Sequence, residues 1–187
     1  MMTPQKSASK GSILIAKPFL GDPNFERGVI LLCAYDENGS FGFVLNQVTE
    51  LLLGDVLEET IYQDIHLHLG GPVEKNTLHF IHRRPDLISG GEEIMDGVFW
   101  GGNFDQVKTL LNINTLDAND VRFFIGYSGW GQGQLDTELQ EDSWIVSRTS
   151  AEFLFTTLPG NFWREILKNM GGEYRSIANY PTDPRLN

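Results

Sequence analysis

The stretch that decides the fold is Val29 to Asn46, VILLCAYDENGSFGFVLN. Its first half, Val29 to Tyr35, is apolar throughout, the pattern of a strand buried on both faces. Asp36-Glu37-Asn38-Gly39 then breaks the run with turn formers, and Asn-Gly supplies the positive φ of a tight hairpin. Ser40 to Asn46 returns as a partner strand that agrees with the first in length and type.

Outward from this hairpin, Ser12 to Ala16 reads as a strand, and Pro18 to Gly28 as a turn-rich loop centred on Gly21-Asp22-Pro23-Asn24. Leu51 to Glu59 carries a short helical pattern. Ile65 to Leu69 and Thr77 to His82 read as strands joined through Gly70-Gly71-Pro72. Asp96-Gly97 marks a second tight hairpin within Glu93 to Trp100. Asn103 caps a helix through Leu111, with Phe104, Val107, Leu110 and Leu111 on one face. Val121 to Gly126 is a strand, Tyr127 to Gly133 a glycine loop, Gln134 to Gln140 the start of a helix, and Trp144 to Val146 a strand. Asn161 caps a helix Phe162 to Met170 that Gly171 ends. Strands outnumber helices and come in hairpins. The expected fold is α+β, a mostly antiparallel and partly barrelled β-sheet with helices packed around it. One domain over residues 11–180 lies between a disordered leader, 1–10, and an irregular tail, 181–187.

Composition limits the function classes. The 187 residues are 41% hydrophobic and 21% charged, as in ordinary globular chains, and carry a formal net charge of −11. Such a surface repels phosphate backbones and anionic membranes, so nucleic-acid binding needs a local basic patch, and the only adjacent basic pair is Arg83-Arg84. The single cysteine, Cys33, excludes an intramolecular disulfide and fits a reducing compartment. No run approaches a membrane span or a signal h-region, which places the protein in the cytosol.

Four segments bear on chemistry. The glycines at 126, 129, 131 and 133 lie between a strand and a helix, where backbone N–H groups can hold an anion. The dinucleotide and Walker spacings both fail, however. Ser128 stands in Gly-Tyr-Ser-Gly-Trp, where Trp130 replaces the last glycine of a nucleophile elbow, and no histidine follows it. His66 and His68 alternate onto one strand face, and a hairpin partner would bring His79 beside them as a possible zinc or iron set. Against this, a wet sheet face explains the alternation equally. Asp22, Asn24, Glu26 and Arg27 form a polar cluster that reads as turn chemistry or as a binding loop. Cys33, mid-strand among apolar residues, reads as inert core.

These segments together resemble the AlgH/YqgE family. The resemblance rests on LIAKPFLGDPNFERGVILLCAYDENGSFGFVLNQ, LHLGGPV followed by LHFIH, and FFIGYSGWGQGQLDTEL with SWIV after it, spanning residue 14 to about residue 146. It implies one α+β domain and no established reaction, since members carry the labels transcriptional regulator or unknown function. Ser128 departs from the alanine frequent in the family, and His66-x-His68 lies outside its pattern. Three functions follow as alternatives. The first is a non-enzymatic binding or regulatory module, acting on a protein partner or small ligand through Asp22, Asn24, Glu26, Arg27, Ser128, Gly129, Trp130, Gly131 and Gln134, with no cofactor. The second is an enzyme with a polar site near the 18–28 and 126–135 loops. The third, direct DNA contact, is opposed by the charge.

Overall fold

The computed structural model describes residues 2–181. In chain order the elements are β1 (Ile13–Ala16), β2 (Val29–Asp36), β3 (Gly39–Val44), β4 (Val48–Leu52), α1 (Leu53–Leu57), β5 (His66–Leu69), β6 (Val73–His82), β7 (Glu92–Met95), β8 (Val98–Trp100), α2 (Phe104–Asn112), β9 (Val121–Gly131), α3 (Gln134–Gln140), β10 (Trp144–Ser147), α4 (Ala151–Thr156), α5 (Phe162–Met170) and α6 (Gly172–Ile177).

The opening hairpin forms: β2 and β3 pair antiparallel from Ile30↔Val44 to Asp36↔Gly39, with a register shift between Leu32 and Ala34. Of the Asn38-Gly39 pair only Gly39 takes a positive φ, 144°. β2 is covered on both faces because two cores meet it. Val29, Leu31 and Cys33 enter a central core with Ile13, Ile15, Phe43 and the apolar faces of α4 and α5. Ile30 and Leu32 enter a second core with Leu14, Val44, Trp130, Leu135 and Trp144. A third core packs Leu67, Phe80 and Phe123 against α1 and α2 through Leu53, Val107 and Leu111.

The ten strands form one sheet in the order β10-β1-β2-β3-β9-β6-β8-β7, with β5 added on β9 and β4 on β5. All pairings are antiparallel except β5 on β9, where His68 and Leu69 lie beside Phe124 and Ile125. The order is open: β10 and β7 stand at its two ends, and no ladder joins them among the described residues. The partly barrelled sheet expected from the sequence is therefore corrected to an open one. Barrels and open sheets share the same hairpin-rich pattern; what separates them is whether the end strands find each other, which strand periodicity does not encode. Here the end strands are short and covered or charged. Residues 2–10, expected to be a disordered leader, lie against β10: the Gln5 N–H donates to the Val146 carbonyl at 2.8 Å, and Ala8 is buried. At the other end β7 carries Glu92 and Glu93, both exposed. The expected tail falls on residues 182–187, outside the described residues, apart from Pro181.

The sequence pattern predicts a strand ending at Gly126 and then a glycine loop; in the structure β9 runs on to Gly131. Its first half lies between β5 and β6, and its second half pairs with β3 from Gly42↔Ser128 to Gly39↔Gly131. The strand bends where it changes neighbours, at Gly126, which sits at φ +66°. A Cβ there would meet the Val73 carbonyl at 2.7 Å and the Gly71 carbonyl at 2.9 Å. β4, α4 and α6 were not anticipated, and the Leu51–Glu59 helical pattern divides into the end of β4 and α1. Asn103 caps α2 by accepting from the Gln106 N–H at 3.1 Å. Gly171 ends α5 at φ 72°. Asn161 precedes α5 without a side-chain cap, because the one-turn 3₁₀ segment Pro159–Asn161 leads into the helix.

Gly126→Ala combines a left-handed backbone with a clash against two backbone carbonyls, so it is expected to destabilise the fold by about 3 kcal/mol or more. Gly160→Ala, with nothing within 4 Å of its Cβ position, serves as the control. Urea unfolding of the two variants checks this, and equal midpoints would remove the role given to the Gly126 bend.

Candidate functional site

The structure brings the two loops together through aromatic packing. The Phe25 ring stacks on Trp130 at 6.3 Å between centroids and meets Trp144 edge-on at 5.6 Å. The polar residues around Phe25 are spent on the loop itself. Asp22 accepts from the backbone N–H and the side-chain amide of Asn24, at 2.9 and 3.0 Å. The Asn24 carbonyl accepts from Gln47 at 2.8 Å. Arg27 donates to the Tyr180 carbonyl at 2.6 Å and covers the Trp163 ring at 4.8 Å, tying the loop to the C-terminal helices. Glu26 is exposed.

The Gly-Trp-Gly segment is equally self-contained. A buried indole N–H needs an acceptor, and Glu138 serves two of them: its Oε2 accepts from Trp130 Nε1 at 2.9 Å and from Trp144 Nε1 at 2.8 Å. Its Oε1 accepts from Gln134 at 3.1 Å, and Gln134 in turn accepts from the Gly131 N–H at 3.1 Å. Gly129 opposes Phe41 in the ladder. Ser128 is fully buried and its hydroxyl donates to the Gly70 carbonyl at 3.0 Å. Sequence places Glu138 beside the glycine loop as a carboxylate that would oppose a bound phosphate, but not as the indole acceptor; the signal for that role is the Gln134–Glu138 i,i+4 spacing on α3, which puts both side chains on the face toward Trp130.

The histidines are brought into neighbouring strands without converging. His68 and His79 both lie beside Phe124 in register, on opposite sides of it. His66 is exposed, with Nδ1 3.1 Å from the Thr49 carbonyl. His79 is 2.9 Å from the Thr77 hydroxyl, which already donates to the Glu74 carbonyl, so Nε2 of His79 carries the hydrogen. His82 is fully buried and neutral: Nδ1 accepts from the Arg84 N–H at 3.2 Å, which leaves Nε2 to donate to the Gly101 carbonyl at 3.1 Å. Among the described residues no group of three or more His, Cys, Asp or Glu is placed to hold a metal ion. Cys33 lies in the central core, where burial pushes its thiol up well above the usual range.

Among the described residues, one cleft brings together two buried titratable side chains whose hydrogen-bonding capacity is largely unspent. It has a volume of about 260 Å³ and lies where the start of β9 and β5 face α4. Arg122, His68, Phe155, Ile65 and Val121 are its buried lining; Val48, Asp64, His66 and Asn119 stand on its rim. Arg122 is 8% exposed and points to the side of β9 opposite Phe123. Among the described residues its side chain makes one hydrogen bond, a long one of 3.5 Å to the Leu45 carbonyl, and the Phe155 ring lies 6.0 Å away. None of the ion pairs among the described residues includes it. Burial lowers its pKa to about 10, so it is still a cation at neutral pH. His68, also 8% exposed, has both ring nitrogens buried, and among the described residues neither makes a well-aligned hydrogen bond, the Phe123 carbonyl being near but poorly aligned. Burial, with the Arg122 charge adding to it and the Phe123 carbonyl opposing, lowers its pKa to about 3. An unpaired guanidinium beside an unsatisfied imidazole is costly to bury. Neither Arg122 nor its partnership with His68 was found from sequence. The signal was a lone charge inside Val121-Arg122-Phe123-Phe124, a run otherwise apolar.

The AlgH-like family model matches residues 13–175. The chain belongs to the AlgH/YqgE family. It is 45% identical over 180 residues to a UPF0301 protein of Cytophaga hutchinsonii, covering 96% of this chain and 99% of that one. A UPF0301 protein of Chlorobium limicola is 45% identical over 179 residues, with 95% of each chain covered. The solution structure of the AlgH protein from Pseudomonas aeruginosa superposes with a TM-score of 0.74 at 25% identity, over 95% of this chain and 98% of that one. A crystal structure of a Corynebacterium diphtheriae protein shares the fold, with a TM-score of 0.78 at 17% identity and 93% of each chain covered. The AlgH/YqgE fold is thus the frame on which the His68–Arg122 cleft is built. Among the described residues no helix is long and apolar enough to cross a membrane.

Replacing an unpaired buried cation by an apolar side chain of similar length removes a desolvation penalty, so Arg122→Met is expected to stabilise the protein by about 1 kcal/mol or more. Chemical denaturation checks this; a clear loss of stability would mean that Arg122 is held by interactions it does not show. His68 supplies a pH signature. Below its ordinary pKa of ~6.5 the unfolded chain takes up a proton that folded His68 refuses until about pH 3. The unfolded state therefore binds more protons in that window, and stability falls as pH drops through it, by roughly 1.4 kcal/mol per pH unit. His79 and His82, also lowered by burial, act in the same direction. His68→Phe is expected to flatten the difference in unfolding free energy between about pH 7 and about pH 5. An unchanged slope would show that His68 titrates normally.

Proposed function

We propose that this AlgH/YqgE protein is a binding module without catalytic chemistry of its own, and that its ligand is a small molecule seated in the His68–Arg122 cleft. The observation that carries the reading is the pair of buried polar side chains whose hydrogen-bonding capacity the fold leaves unused. Elsewhere the candidate groups, the exposed Glu26 apart, are consumed internally. Asp22, Asn24 and Arg27 hold their own loop, and Gln134 with Trp130 closes on Glu138. Ser128, the nucleophile an enzyme at these loops would need, is enclosed and bonded to Gly70. A regulatory role through DNA contact draws no support from the surface. Arg83 pairs with Asp120 and Glu152, and Arg84 with Asp86 and Asp120, so the one adjacent basic pair is neutralised by carboxylates.

The test is a screen of small acidic, basic and neutral fragments against the ¹⁵N-labelled protein, read at the backbone amides of His68, Arg122 and Phe155. Hits are expected to move this set of signals together and saturably. A screen in which no fragment of any class moves them, while other surfaces respond, would sink the proposal.

A further inference from the structure

We infer that the ligand of the His68–Arg122 cleft is a carboxylate on a short apolar body, bound by the Arg122 guanidinium with His68 beside it. The inference rests on the cleft being the ligand site, as proposed above, and adds the chemistry of its occupant. Among the described residues Arg122 is the one Lys or Arg lining the cleft, and its side chain is buried with a single long hydrogen bond. Its planar fork of N–H donors matches the two oxygens of a carboxylate, which would both pair the charge and satisfy the donors. His68, neutral over the physiological range, brings one further N–H donor and no charge.

The charge balance selects a monoanion. One buried cation compensates one negative charge. A phosphate dianion would keep an unpaired charge in a low-dielectric site whose rim already carries Asp64, on a chain of net charge −11. The walls select the rest of the molecule. Val48, Ile65, Phe155 and Pro159 give the cleft an apolar side. Its volume, about 260 Å³, lies below the roughly 300–1,000 Å³ of sites for drug-sized ligands. A small aliphatic or aromatic acid fits that description, as does the carboxyl end of a partner polypeptide.

Butyrate, its neutral isostere butyramide, inorganic phosphate, and acetyl-trialanine with a free C-terminus are titrated at neutral pH into the wild-type protein and into Arg122→Met and Arg122→Lys. The readouts are the His68 ring signals and the Arg122 side-chain N–H. Butyrate or the peptide is expected to shift both saturably. Binding should weaken at least tenfold in Arg122→Met and less in Arg122→Lys, which keeps the charge without the fork. The tighter of the two carboxylates says whether the occupant is a free acid or a chain end. Butyramide binding as well as butyrate overturns the inference, and so does phosphate binding where carboxylates do not. Silence toward both carboxylates up to about 50 mM, beyond the weakest affinity of interest at ~1 mM, also overturns it. If neutral or basic fragments still move the cleft signals, the binding-site reading stands and only its carboxylate chemistry falls. If nothing moves them, both fall together.

Discussion

Backbone pairing along β9 sets what the rest of the chain can do. Each N–H and C=O of a buried strand must find a partner, and this eleven-residue strand draws its partners from three others. β6 lies along one side, while β5 and then β3 share the other. That sharing forces the chain to return twice to the same strand. It also forces the strand to bend at the point of exchange, where Gly126 tolerates both the left-handed backbone and the nearby carbonyls of Gly71 and Val73. The sheet is thereby divided into two halves facing a common core, and the helices after β10 close that core. The start of β9 is set against α4 by the same arrangement, which is why a cleft exists beside Arg122.

The fold was legible in sequence wherever one local pattern decided the outcome. The β2–β3 hairpin, the Asn103 cap of α2 and the Gly171 stop of α5 each follow from a few adjacent residues. The errors fall where two distant segments decide together. Tyr127 to Gly131 looks like a loop because of its glycines, yet it is a strand laid against β3, where Gly39 has no room for a Cβ because the Trp130 carbonyl lies 2.5 Å from that position. A barrel was expected because hairpins dominate. Closure depends on the two end strands, and Gln5 and its neighbours lie against one of them. β4 gives no strand signal because its burial alternates weakly, most of its residues being exposed, and its last two residues fall in the Leu51–Glu59 helical pattern.

The candidate site was less legible for a related reason. Sequence reading favours motifs, and motifs here are structural. The Gly-Trp-Gly-x-Gly-Gln-Leu stretch and the Gly-Asp-Pro-Asn-Phe loop are dense in distinctive residues because they build a joint. Phe25 stacks on Trp130, and one carboxylate, Glu138, receives two indole N–H groups. Such a joint demands particular side chains without needing a ligand. Arg122 and His68 belong to no motif. They lie on strands that are adjacent only through the parallel β5–β9 pairing, a long-range contact that no periodicity announces.

A chain whose local choices agree with its fold is the normal case, and a broken rule points to another demand. The second core and the Glu138 joint obey the rule: their apolar groups are packed and their polar groups paired. Arg122 breaks it. The side chain could be apolar at no loss to the β9 ladder, since the strand is held by backbone bonds, and the neighbouring Phe155 and Val48 would accept an apolar contact. An unpaired buried cation instead lowers stability in exchange for nothing inside the described residues. His68 adds a second unsatisfied group at the same place, and two independent penalties in one cleft are harder to dismiss as accident than one. Among the described residues no carboxylate pairs with Arg122, although Asp64 stands on the rim of the same cleft. On the reading proposed above, the missing counter-charge is supplied by what binds.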